Sequence, residues 1–185
     1  MSRARSHGRP RAARGFTLIE VLVALVLLAF GLLSLARVIG RSAQEEMEAQ
    51  QRSVAITLAA EMVDRITNNP KQAAQYVEDY VPGSAPEDCS AVDAADVVGR
   101  DKCEFRNRLL GADVYDAERA IGAPIAARGC VVSPAPNLYV VAIAWQGLLP
   151  TSASDSACGE NAFGADNERT RRVYSTTFQV ATLGV

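Results

Sequence analysis

The sequence predicts an α+β fold in which one long N-terminal helix packs on a small antiparallel β-sheet. Three observations predict it. A continuous apolar run lies near the N-terminus, an amphipathic stretch follows it as far as Asn69 with no proline, and the last third alternates with a period of two. At 185 residues, 49% hydrophobic and 22% charged, the chain has the size and composition of about one folded domain and not of a disordered or fibrous protein.

The first fifteen residues form a basic leader. Arg3, Arg5, Arg9, Arg11 and Arg14 lie there without an acid, so 14 basic groups in the remaining 170 residues face all 21 acids, a net charge of −7. A body of that charge has little reason to bind nucleic acid directly, because phosphates demand clustered Lys and Arg. The only histidine, His7, also sits in the leader. Ser-His-Asp, Cys-His and zinc-histidine chemistry therefore lack their central residue in the rest of the chain.

Phe16 to Ala36 is a 21-residue apolar stretch whose only charge is Glu20. As a helix it would be about 31 Å long, which matches a hydrocarbon core of about 30 Å. The arginines on its N-terminal side place the leader in the cytoplasm and everything after about Arg37 outside it. An all-round apolar helix of this length exceeds what one small domain can enclose. Ser34-Leu35-Ala36 has the small-x-small form of a secretory cleavage site, but the apolar region is too long and carries an acid near its start.

Glu20 is the informative residue. A carboxylate in a spanning helix costs about 2.5 to 3.5 kcal/mol at the bilayer centre, less near an interface, and so calls for a partner or a role. The run from Arg14 and Gly15 through Phe16-Thr17-Leu18-Ile19-Glu20-Val21-Leu22-Val23-Ala24-Leu25 resembles the N-terminal motif of type IV pilins and pseudopilins. The resemblance implies a pilin-like fold and a defined processing chemistry. A membrane aspartyl prepilin peptidase would cut between Gly15 and Phe16 and methylate the new amino terminus of Phe16. Glu20 would become the fifth mature residue, whose carboxylate neutralises the amino terminus of an adjacent subunit during assembly, giving the buried charge its counter-ion.

Beyond Arg37 the helix continues. Met47, Val54, Leu58, Met62 and Ile66 recur at spacings of seven and four, with Gln44, Glu45, Glu48, Gln51, Arg52, Glu61 and Arg65 on the other faces. This stripe is expected to pack against the chain's own globular part. Asn68-Asn69-Pro70 is a stop, because the residue before proline avoids the helical region. From Phe16 the helix would run roughly 53 residues and about 80 Å. The segment from Arg52 to Pro70 resembles the helix end of the minor pilins called PilV, the type IV pilus modification proteins, through Ala59, Met62, Asp64, Arg65, Ile66, Asn69 and Pro70. Asp64 and Arg65 are adjacent and cannot pair on one helix face, so each is expected to reach another element or subunit.

The middle is weakly patterned. Pro82-Gly83-Ser84-Ala85-Pro86 reads as a loop, Asp101 to Leu110 as a short helix burying Phe105 and Leu109, and Tyr115 to Ile121 as a further turn or two of helix. Leu138 to Trp145 puts Tyr139, Val141, Ile143 and Trp145 on one face and Val140, Ala142 and Ala144 on the other, a strand covered on both sides. Arg172 to Thr182 alternates in the same way, and Cys130 to Ser133 begins a third strand.

Cys89, Cys103, Cys130 and Cys158 all lie in the exported part, where an even count points to disulfides with three possible connectivities. Cys89 with Cys103 and Cys130 with Cys158 are favoured because they close the two local loops. A metal site is disfavoured by the absence of any C-x-x-C pair and of a histidine after the leader. No cofactor is called for.

The chain thus divides into a leader at 1–15, a membrane and assembly helix at 16–36, an amphipathic periplasmic helix at 37–69 and a globular domain at 70–185. The favoured function is a structural one and not an enzyme: a minor pilin acting in type IV pilus assembly through helix packing. The resemblance implies as partners the prepilin peptidase, other major and minor pilins, the inner-membrane assembly machinery and membrane lipid. It implies an inner-membrane location in a Gram-negative-type bacterium, single-pass with a periplasmic C-terminal domain, and incorporation into an extracellular pilus. A type II secretion pseudopilin is the near alternative, sharing leader and helix. A membrane-anchored periplasmic enzyme or binding protein is the distant one; its candidate carboxylates Asp96, Asp101, Asp113, Asp116 and Glu118 have a spacing that picks out no catalytic pair and read as solvated surface.

Overall fold

The computed structural model describes residues 15–112, 114–116, 119–120 and 122–181. The chain divides into two compact units, Met1–Ala43 and Gln44–Val185. Helix α1, Leu18–Asn68, supplies 51 residues and contributes to both. In the first unit every helical residue is exposed, including Leu25, Phe30 and Leu33. By length and composition this helix can cross a membrane.

In the second unit α1 buries one face. Ala55, Leu58, Ala59, Met62 and Ile66 follow the three-and-four spacing of a helix stripe and join a core with Tyr76, Tyr80, Phe105, Leu109, Val131, Val141, Ile143 and Trp145. Met47, expected in the stripe, is half exposed, and Ala55 and Ala59 are wholly buried instead. Ala55 and Ala59, one turn apart, lie on the same helix face as Met62 and Ile66, so the buried stripe is completed by small residues. The helix ends at Asn68, and Pro70 opens a 3₁₀ segment, Pro70–Tyr76.

The sheet has four antiparallel strands in the order β1 (Asp79–Tyr80), β4 (Arg128–Ala135), β5 (Leu138–Gln146) and β6 (Arg171–Gln179). The β4–β5 hairpin turns at Pro136-Asn137, where Asn137 takes φ +60°, and its register shifts between Val132 and Ala135, around Pro134, which has no N–H for the ladder. β5 is buried along both faces, as its alternation predicts. Tyr139, Val141, Ile143 and Trp145 meet the α1 core, while Ala142 and Ala144 meet a second cluster with Cys130, Cys158 and Phe163.

Helix α2, Val97–Leu110, begins four residues before the predicted start because the Asp96 side chain accepts the Gly99 N–H at 2.9 Å and caps it. It stops at Gly111 in the left-handed region (φ +83°), with the Gly111 N–H on Arg108 O and the Ala112 N–H on Asn107 O. A Cβ at Gly111 would also lie 2.7 Å from the backbone nitrogens of Gly122 and Ala123.

The helix expected over Tyr115–Ile121 is not formed. Two-residue strands β2 (Tyr115–Asp116) and β3 (Arg119–Ala120) pair antiparallel there. The Gly122 N–H bonds to Gly111 O at 3.1 Å, which pins the ends of the segment together. A helix would carry those ends apart, whereas a hairpin returns them. The leader arginines, His7, Asp113, Glu118, Ile121 and Thr182 lie outside the described residues.

Candidate assembly site

Gly15, Phe16 and Thr17 precede the helix in non-helical conformation. The Thr17 hydroxyl accepts the Glu20 N–H at 3.3 Å, and the Thr17 carbonyl takes the N–H groups of Glu20 and Val21 at 3.1 and 3.3 Å. Thr17 is therefore the N-cap, and Thr17-Leu18-Ile19-Glu20 has the S/T-x-x-E form of a capping box. The motif that carries the resemblance is also a helix-start signal, through the spacing of Thr17 and Glu20.

The cap places Glu20 in the first helical turn, where the positive end of the helix dipole favours a carboxylate. That carboxylate has no ion-pair partner among the described residues. Gly15 has equally little to do among the described residues, since a Cβ there would meet none of them within 4 Å. Any demand for glycine at this position comes from outside the fold. Phe16 is 81% exposed and Leu18 79%, so the whole segment is open to a membrane, a processing enzyme or another helix.

The other end of α1 is locked to its own domain. Arg65 donates to Glu61 at 2.8 Å, Asp101 at 2.7 Å and Glu104 at 2.9 Å. Asp101 also accepts the Tyr76 hydroxyl at 2.5 Å, and Tyr76 in turn accepts from the Asn69 amide at 3.3 Å. Burial would lower the Arg65 guanidinium pKa, but bonds to Glu61 and Glu104 and the charges around it raise it well above the ordinary value. Burial, then the bond to Asp101, pushes the Tyr76 hydroxyl up to about 12.

This network accounts for much of the run from Ala59 to Pro70. Ala59, Met62 and Ile66 fill the core, Arg65 and Asn69 tie the helix end to α2 and the 3₁₀ segment, and Pro70 opens that segment. Arg65 reaches another element, as its adjacency to Asp64 predicted. Asp64 is exposed and pairs with no described residue. Of the carboxylates weighed as catalytic, Asp101 is held in this network, Asp96 caps α2, and Asp116 lies in β2. Among the described residues, no group of three or more His, Cys, Asp and Glu is placed to hold a metal ion.

Two further contacts were not visible in the sequence. Glu48 on α1 accepts the N–H groups of Leu148 and Leu149 at 2.8 and 3.1 Å and the Arg172 guanidinium at 3.2 Å, joining the helix to β6 and to the loop after β5. Burial would raise the Glu48 pKa, but these backbone donors and Arg172 outweigh it and hold it below the ordinary value. Buried Arg171 donates to the carbonyls of Ser154, Ser156 and Cys158 and to Glu168, organising the segment between β5 and β6. Disulfides join Cys89 to Cys103 and Cys130 to Cys158.

A family model described as the prokaryotic N-terminal methylation motif matches residues 10–36. The match supports a type IV pilin-like protein. No curated protein and no solved structure matches the chain. The motif covers the capped helix start, Glu20 and the apolar part of α1, and it implies a prepilin peptidase and other pilins as partners. Together with the apolar helix it fits membrane anchoring of a bacterial pilin. The long helix and four-stranded antiparallel sheet form a pilin-like α+β arrangement.

Proposed function

We propose that the chain is a minor pilin of a type IV pilus, of the kind called PilV, made as a precursor and built into the pilus machinery through its N-terminal helix. The carrying observation is the match to the methylation motif on a segment that the described residues leave without a use: a Cβ at Gly15 would meet none of them, Phe16 is open, and Glu20 sits in a capped first turn without an ion-pair partner among them. Cleavage between Gly15 and Phe16 creates an amino group, which methylation makes a secondary amine that still carries a positive charge. Glu20 receives the amino terminus of a neighbouring subunit, replacing water with an ion pair where apolar helices bury both charges. The domain after Asn69 faces the periplasm and later the fibre surface, consistent with the arginines preceding the membrane helix. The segments 1–15, 16–36, 37–69 and 70–185 then act as leader, membrane helix, helix linking to the domain, and globular body.

N-terminal peptide mass spectrometry of protein from membranes with and without the prepilin peptidase tests this. A mature chain starting at methylated Phe16, seen only with the peptidase, is the expected result. An intact leader in both strains, or a chain beginning after Ala36, would overturn it. Because the motif serves pseudopilins as well, piliation and type II secretion are scored separately in a strain lacking the protein. Loss of pili with secretion intact is the outcome expected of a minor pilin.

A further inference from the structure

One cavity of the second unit is lined by hydrogen-bond donors that find no partner among the described residues. In the β5–β6 ladder Trp145 stands opposite Arg172 and Ile143 opposite Tyr174, so Trp145, Arg172 and Tyr174 share the sheet face that meets α1. Glu48 reaches Arg172 from the helix. Arg52 lies one turn further along α1, about 6 Å, and Tyr174 two residues further along β6, about 6.6 Å, so the two come level beside Trp145. Glu48, Arg52, Trp145, Arg172 and Tyr174 line a cavity of about 390 Å³. One water occupies about 30 Å³, so this is more room than a single buried solvent molecule fills.

The acceptors around this cavity are already used. Leu148, Leu149 and Arg172 donate to the two oxygens of Glu48. Arg172 donates further to the Thr151 hydroxyl and to the Arg169 and Leu149 carbonyls. What is left over is donors. Trp145 is 4% exposed, and its Nε1–H is buried with no hydrogen-bond partner. The Arg52 guanidinium and the Tyr174 hydroxyl have no partner among the described residues. An indole N–H and a guanidinium can only donate, so the group that fits here accepts. Glu48 and Arg172 neutralise each other, which leaves the single positive charge of Arg52. A carboxylate carries one negative charge, and its two coplanar oxygens match the guanidinium fork. A phosphate brings more negative charge than that near neutral pH and would set it beside Glu48 without a second free cation.

We propose that the cavity between α1 and the start of β6 binds a carboxylate group, held by the Arg52 guanidinium with the Trp145 indole N–H and the Tyr174 hydroxyl as further donors. The site uses no residue of the leader or of the apolar stretch and stands apart from leader processing. Trp145 is the only tryptophan in the chain, so intrinsic fluorescence of the full-length protein in detergent micelles reports this cavity alone. Sodium acetate is titrated against sodium chloride at constant ionic strength, and the amide of N-acetylglutamate, which carries only a side-chain carboxylate, is titrated in the same way. A saturable change in emission with both is expected, and none with chloride. Half-saturation at about tenfold lower concentration for the amide identifies a protein side chain as the source of the carboxylate, whereas equal values identify a free small acid.

Arg52→Gln alters an exposed side chain with no partner among the described residues, so unfolding should stay as it is while half-saturation by acetate rises about tenfold or more. Tyr174→Phe removes one hydroxyl and is expected to raise it about threefold. Inorganic phosphate is expected to act at least about tenfold more weakly than acetate. Emission that answers acetate only linearly or not at all, a response that Arg52→Gln leaves unaltered, or phosphate acting as strongly as acetate would overturn the proposal.

Discussion

The two stretches of α1 on either side of Ala43 are one helix under two different rules. From Leu18 to Ala43 the side chains are larger and more apolar, and all are exposed. From Gln44 to Asn68 the sequence is more polar, yet Ala55, Ala59, Met62 and Ile66 are completely buried. Apolarity and burial are thus uncoupled along a single element. The first stretch is matched to a surrounding that the chain does not supply, whereas the second is matched to the chain's own sheet.

Core truncation breaks the comparison most strongly. Met62→Ala is expected to cost about 2 to 5 kcal/mol of unfolding free energy, while Leu25→Ala, exposed in the same helix, changes it by less than about 0.5 kcal/mol. Thermal denaturation of the two variants in one detergent checks the contrast. Equal losses would mean that the apolar stretch is part of the folded core.

Next in size is the staple across the second unit. Cys130 and Cys158 close a loop with a sequence separation of 28 residues, against 14 for Cys89 and Cys103. In the chain-entropy model the longer loop is worth about 3.6 kcal/mol and the shorter about 3.0 kcal/mol. Paired Cys→Ala replacements followed by chemical denaturation should rank them in that order, with membrane insertion of α1 unchanged in both.

The end of α1 gives a smaller effect. Arg65→Met leaves Asp101 and Glu104 without their cation and Glu61 with Arg108 as its remaining partner, at an expected cost of about 1 to 3 kcal/mol after allowing for partial exposure. Glu20→Gln, at the other end of the same helix, should leave unfolding unchanged and show its effect only in pilus incorporation, read by immunoblotting of sheared fibres.

The smallest effect is a dependence on pH confined to the second unit. The Glu48 carboxyl has a folded pKa below its ordinary value of 4.5, so its stabilisation is whole above that value and is lost as pH falls through the lowered one. Tyr76 runs the other way. Its hydroxyl rises from 10.0 to about 12, so its contribution is whole below pH 10.0 and is lost as pH climbs towards 12. Unfolding midpoints measured from pH 3 to 11 should fall at both ends, and Glu48→Gln should make the acid-side fall shallower without removing it, because Arg106 and Arg171 also hold Glu87 and Glu168 below their ordinary values, and should leave the alkaline side unchanged.

Local patterns made much of this legible. The alternation in Leu138–Trp145 states which residues face opposite sides, and Asn68-Asn69-Pro70 ends the helix by steric exclusion before proline. Other features depend on residues far apart in sequence. Nothing near Tyr115 states that Gly122 will bond back to Gly111 and force a hairpin, and nothing near Glu48 names Leu148, Leu149 or Arg172 as its partners. At the candidate site, the basic leader, Gly15 and Glu20 were legible because their chemistry is written in consecutive residues. The capping role of Thr17 was legible too, through the spacing of Thr17 and Glu20.

By itself the sequence determined what depends on near neighbours: the span of the apolar helix, its capped start and its stop, the alternating strands, and the acid placed near the beginning of the apolar run. Each follows from backbone sterics and side-chain period over a few residues. The loop-closing cysteine pairs favoured from the sequence are the ones formed, and Leu58, Met62 and Ile66 of the predicted stripe turn inward; only the tertiary structure decided that Ala55 and Ala59, and not Met47, complete that stripe and which carboxylates surround Arg65. Those outcomes depend on residues that meet only when the chain is folded: Ala55 and Ala59 share their core with Val131, Val141 and Ile143, more than sixty residues further along.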